Sequence, residues 1–116
     1  APYSGNATPL SSWTAANYAA NATENVSETE GYSGTLRKLY VPATAVDGSI
    51  TNAASRANFD IVTAGTVSFY GAGLLSTSTR GDTSGILISA TRFGSTRVLS
   101  NGDVWGLGYE VDATST

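Results

Sequence analysis

The chain has 116 residues, 41% hydrophobic and only 13% charged, with a formal net charge of −3, which is the size of one ordinary domain. It contains no histidine, cysteine or methionine, yet it carries 15 serines and 16 threonines. The usual general base, the commonest metal ligand, the thiolate nucleophile and the disulfide staple are therefore all missing. An enzyme, a cofactor and a metal centre are not expected, and a net negative chain is poorly suited to phosphate-driven nucleic-acid binding.

Composition divides the chain near Gly31–Gly34. Residues 1–33 read as a polar, acidic N-terminal arm, in which Glu24, Glu28 and Glu30 have no Lys or Arg to balance them. Residues 34–116 hold eleven of the thirteen glycines and nearly all the β-branched apolar residues, and read as a compact β domain. In the arm, Ser11 or Ser12 is placed to cap a short helix through Trp13, Ala15, Ala16, Ala19 and Ala20.

Thr35–Val41 reads as a strand ended by Pro42, and Asp47-Gly48 as a turn. Thr51 or Asn52 is placed to cap one helical turn through Ala57. Phe59–Val62 and Thr66–Tyr70 read as short strands, and Gly71-Ala72-Gly73 as a break after them. Gly85–Ala90 is the most apolar strand and the expected sheet centre. Asn101-Gly102 is the strongest hairpin signal. A two-residue turn there pairs Ser100 with Asp103 and Val98 with Trp105, which puts Val98, Trp105, Leu107, Tyr109 and Val111 on one face. The other face carries Arg97, Gly106 and Gly108 and is nearly bare, open to close approach by another backbone. The expected fold is mainly β, a small antiparallel barrel or sandwich with an extended N-terminal arm and at most short helices.

Several patterns invite a chemical reading, each with a plainer alternative. Three N-x-[ST] sequons stand at Asn6, Asn21 and Asn25, but a chain this rich in Ser and Thr produces about that many by chance. Arg80-Gly81-Asp82 matches an adhesion tripeptide, and it is also ordinary turn chemistry in a Ser/Thr-rich loop. Glu28 with Glu30 and Glu110 with Asp112 are carboxylate pairs without an apolar setting to raise a pKa, so solvated faces are the expected outcome. Gly71-Ala72-Gly73 and Gly106-Leu107-Gly108 lack the further glycine and following helix of a dinucleotide loop. Trp105 alternates with core positions, whereas Trp13 lies in a polar stretch and is either a domain anchor or a hot spot for a neighbouring subunit.

No run approaches the ~18–20 apolar residues of a membrane span, and residues 1–30 show no signal-peptide pattern. Ala1 is compatible with removal of an initiator Met or of a signal peptide.

A cysteine-free, β-rich chain with a polar arm before a compact domain resembles, in organisation and composition, the capsid decoration (cement) proteins of tailed bacteriophages. That resemblance implies a structural protein of the virion surface, made in the host cytoplasm, that oligomerises, often as a trimer. Its partners would be the major capsid protein or neighbouring copies of itself. The contact residues expected from the sequence are Trp13, Tyr18, Glu24, Glu28, Glu30, Arg97, Gly106 and Gly108. Deleting residues 1–30 is then expected to leave a folded domain that no longer binds shells. The rival readings are a secreted or fibre-borne carbohydrate-binding or adhesion module, and another self-assembling coat, tail or pilus subunit.

Overall fold

A computed structural model describes residues 1–42, 44, 48–53 and 56–112. In chain order these form β1 (Pro2–Tyr3), α1 (Ala15–Ala22), β2 (Gly31–Tyr32), β3 (Ser49–Thr51), β4 (Ala57–Val62), β5 (Thr66–Leu75), β6 (Leu87–Ser100), β7 (Val104–Leu107) and β8 (Glu110–Asp112). The fold is mainly β and antiparallel, with one short helix. Three sheets have the orders β1-β5-β6, β2-β4-β7 and β3-β8.

The two three-stranded sheets meet across an apolar core of Tyr32, Phe59, Ile61, Val67 and Phe69, closed by Phe93, Leu99 and Trp105. Trp105 stacks on Phe69 with 5.0 Å between ring centroids and takes Phe93 edge-on at 5.7 Å, within the range of favourable aromatic pairs. Alternation along β5 sends Phe69 into this core and Tyr70 to the other side. There a second cluster forms around Tyr3, Tyr18 and Ala22, with Trp13, Leu75, Leu87 and Ala90 packed on it.

Residues 1–33, read from sequence as an arm, are built into both clusters, Tyr32 into the first and Tyr3, Tyr18 and Ala22 into the second. Pro2 and Tyr3 pair with Ala72 and Gly71 of β5. Helix α1 buries Ala15, Tyr18 and Ala22, one stripe at helical spacing. It starts at Thr14, later than Ser11 or Ser12, because Asn17 Oδ1 reaches back to accept from the Thr14 N–H at 2.7 Å. It ends at Thr23, whose φ of 55° is left-handed. The N–H groups of Ser4 and Gly5 donate to the free carbonyls of Thr23 and Ala22 at 2.9 Å each, binding the helix end to the first residues of the chain.

Four other expectations are corrected. Thr35–Val41 forms no strand. Only Leu36 bridges, to Thr79, because Arg37 turns inward to Glu24. Gly71-Ala72-Gly73 continues β5 without a break. A Cβ on Gly71 would lie 2.4 Å from the Tyr3 ring, and one on Gly73 would lie 2.7 Å from the Tyr18 ring. The glycines therefore make room for two tyrosines against a paired strand.

The apolar segment Gly85–Ala90 is at a sheet edge, not its centre, since β6 pairs on one side only, with β5. Ile86 and Ile88 are 67% and 56% exposed. Asn101-Gly102 does form a tight turn, with the Asp103 N–H donating to Ser100 O at 3.1 Å. No hairpin follows, however. The Gly102 N–H donates to Ile61 O and the Ile61 N–H to Asp103 O, which draws β7 onto β4, with Trp105 opposite Phe59 and Leu107 opposite Ala57. Val98, expected beside Trp105, is exposed.

The expected helical turn after Thr51 runs through residues 54 and 55, which lie outside the described residues. Asn52 is buried, accepting from the Tyr109 N–H at 2.7 Å and donating to Leu107 O at 3.3 Å. Asp47 of the Asp47-Gly48 turn lies outside the described residues, while Gly48 has the positive φ, 79°, that a turn requires.

The Tyr32 hydroxyl is buried without a hydrogen-bond partner among the described residues, and burial pushes its phenol up to about 12. An unpaired buried hydroxyl costs desolvation and returns nothing. Tyr32→Phe is expected to be as stable as the parent or more stable by about 1 kcal/mol. A lower urea midpoint at unchanged slope would contradict this.

Candidate interaction surface

Two arginines that look like surface groups in the sequence are internal fasteners. The Arg37 guanidinium makes a two-pronged contact with Glu24, Nε to Oε2 at 2.8 Å and Nη2 to Oε1 at 2.7 Å. It also donates to Thr77 O at 3.1 Å, Thr77 Oγ1 at 2.8 Å and Asp82 O at 3.1 Å. Both members of the pair are buried. A paired, fully hydrogen-bonded geometry is what a buried charge needs to persist.

Arg80 ties the 76–85 loop to residues 25–34. It donates to the carbonyls of Tyr32 (2.8 Å), Gly34 (2.7 Å), Ser27 (2.9 Å) and Asn25 (3.1 Å), and to Asn25 Oδ1 (3.0 Å), while lying 3.6 Å over the Tyr32 ring. Asp82 accepts from the N–H and hydroxyl of Ser84 at 2.8 and 2.7 Å, which hold its carboxyl below the usual range. The Arg80-Gly81-Asp82 tripeptide is therefore loop structure: its arginine is turned inward and offers no free guanidinium to a receptor.

The expected contact residues fall into two groups. Tyr18 and Glu24 are buried, and neither side chain reaches the surface. Trp13 is half-buried, edge-on to Tyr3 and Tyr18 at 6.2 Å each, which is an anchoring position. Glu30 is exposed but engaged. The Thr63 hydroxyl and the Ala64 N–H donate to it, and those hydrogen bonds hold its carboxyl below the usual range. Glu28, Arg97, Gly106 and Gly108 are exposed. The glycine face is not bare, because Arg56 lies alongside: a Cβ on Gly108 would come within 3.3 Å of its Nε.

Among the sequons, Asn6 and Asn21 are exposed, whereas Asn25 is buried and donates to Glu30 O at 3.1 Å. Among the described residues no group of three or more acidic side chains is placed to hold a metal ion.

Sequence reasoning missed two surfaces. The first is the outer flank of β6, where Thr91, Arg92 and Gly94–Val98 are exposed along an edge that no strand among the described residues covers. Arg92 there donates to Asn6 Oδ1 at 2.6 Å, while Arg97 has no partner among the described residues. The second is an apolar cleft of about 490 Å³, whose walls include Leu36, Leu39, Leu74, Leu75 and Ile88. Leu39 is 78% exposed at its rim. The signal for both was an excess of apolar residues, such as Leu39 and Ile88, over the positions that a small core can absorb.

No family model, curated protein or solved structure matches the chain. No described helix is long and apolar enough to cross a membrane.

Proposed function

We propose that the chain is a non-enzymatic structural protein that decorates and braces a phage-type virion shell, acting as an oligomer through its exposed strand edge and apolar cleft. One observation carries this reading. The most apolar segment of the sequence, Gly85–Ala90, lies at a sheet edge with Ile86 and Ile88 in solvent, and such an edge is a template for pairing unless it is covered. Association would bury it, and spanning adjacent capsomers would add that burial to the cost of separating them. The exposed Arg97 and Glu28 are placed for steering and register more than for affinity.

The carbohydrate-binding alternative is disfavoured by the placement of the rings. Five of the eleven aromatic residues are buried and the other six are only partly exposed, which leaves little ring face for stacking. Native mass measurement on the purified protein, followed by mixing with undecorated phage-type shells, tests the proposal. A discrete oligomer that saturates the shells and raises their disruption temperature is expected. A monomer that binds glycans and ignores shells would sink it.

A further inference from the structure

The outer face of the β2-β4-β7 sheet is open and carries opposite charges at its two ends. Alternation along β4 buries Phe59 and Ile61 in the core and turns Asn58 and Asp60 outward. On β7, Gly106 is opposite Asn58 and Val104 is opposite Asp60, so all four share that face. All four are exposed, Val104 to 67%. Gly106 adds no side chain to the surface, which lets another backbone approach closely.

The two charges cannot satisfy each other within the chain. Arg56 lies along the face: a Cβ on Gly106 would be 3.9 Å from its Cδ, and one on Gly108 would be 3.3 Å from its Nε. Its side chain therefore runs toward Gly108, away from Val104 and Asp60. Four residues of extended backbone separate Arg56 from Asp60, about 13 Å, well beyond ion-pair reach. Neither has an ion-pair partner among the described residues. Glu110, two residues past Gly108, accepts from the Ser49 hydroxyl at 3.3 Å instead.

We propose that this face is a two-fold contact with a second copy of the chain. An axis crossing the strands at Asn58 sets Arg56 over the partner's Asp60, and Asp60 over the partner's Arg56. Both ends are then neutralised at once. An axis running along the strands sets Arg56 over the partner's Arg56, so the charge pattern selects the first arrangement. The β4 register, continued by one residue, places Gly108 opposite Arg56. The same axis therefore sets Val104 over the partner's Gly108, where no side chain stands in its way. Aligned sheet-on-sheet packing accommodates this geometry. The contact is separate from the β6 edge and the apolar cleft, and it does not rest on shell binding.

Sedimentation equilibrium of the full chain over a range of concentrations tests it. A dimer is expected, alone or as the unit of a larger oligomer. Arg56→Asp and Asp60→Arg should each weaken the dimer at least about tenfold, because symmetry turns two attractions into two repulsions. An equimolar mixture of the two single variants should dimerise as the parent does, since each then offers the charge the other lacks. The Arg56→Asp, Asp60→Arg double variant should do so too, which keeps the outcome decisive if a single variant folds poorly. Leu39→Asp, in the cleft, should leave this dimer intact. The proposal is overturned by a monomeric parent, or by single variants that associate as the parent does. It is also overturned if the mixture and the double variant associate no better than the single variants. Loss of all self-association in Leu39→Asp overturns it as well, and leaves shell decoration through the cleft standing. A charge-dependent dimer that ignores shells would support this face and count against decoration.

Discussion

Arg37→Met is expected to destabilise the domain by about 3–5 kcal/mol, because it leaves the Glu24 carboxylate buried without its cation. Glu24 loses the two-pronged partner at 2.7 and 2.8 Å, and Thr77 and Asp82 lose their donors at the same time. The loss is a large share of the 5–15 kcal/mol that typically holds a domain together. Urea unfolding checks it. The Glu24→Leu, Arg37→Met double variant should recover more than half of the loss, since no charge is then stranded and a packed apolar pair can match an ion pair. If the single variant loses less than about 1 kcal/mol, water reaches the pair and the bridge is not the internal fastener described above.

The same contact shows how far the sequence could be read. The β class was legible in the β-branched runs, and Phe59–Val62 and Thr66–Tyr70 lie within strands β4 and β5. Arg37 was not legible as a core residue. It sits in Leu36–Val41, which has the composition of a strand, and its partner is thirteen residues away with no spacing motif to announce it.

Gly71-Ala72-Gly73 misled for a related reason. Glycine in a strand pattern signals either a break or a close approach, and only the distant Tyr3 and Tyr18 decide for the second. At Asn101-Gly102 local chemistry specified the turn correctly, but Ile61 claims both Gly102 and Asp103, so β7 joins a different sheet. Trp105 on the core side could be anticipated from alternation, whereas the buried Tyr18 was expected at a contact surface. The open flank of β6 and the cleft were signalled only by a surplus of apolar residues, which does not place them, because an exposed apolar strand and a buried one share one composition.

Removing residues 1–30 is expected to abolish cooperative folding. The deletion takes out β1, α1 and the whole Tyr3, Tyr18 and Ala22 cluster, and it exposes the side of β5 and β6 that carries Tyr70, Leu75, Leu87 and Ala90. Losing one fully buried large side chain costs about 3–5 kcal/mol, and Tyr3 and Tyr18 are both fully buried. The deletion also strands Arg37 without Glu24 and strips Arg80 of its acceptors on Asn25 and Ser27. A thermal scan of the 31–116 fragment should show no sharp transition, with strong binding of a hydrophobic dye. A fragment melting cooperatively within a few degrees of the parent would restore the arm as a separable unit.

This outcome also governs how shell binding must be tested. Loss of decoration by the fragment would report unfolding, not a missing contact. The informative variants are therefore surface changes such as Leu39→Asp, which alter the cleft while leaving Tyr3, Tyr18 and the Glu24–Arg37 pair in place.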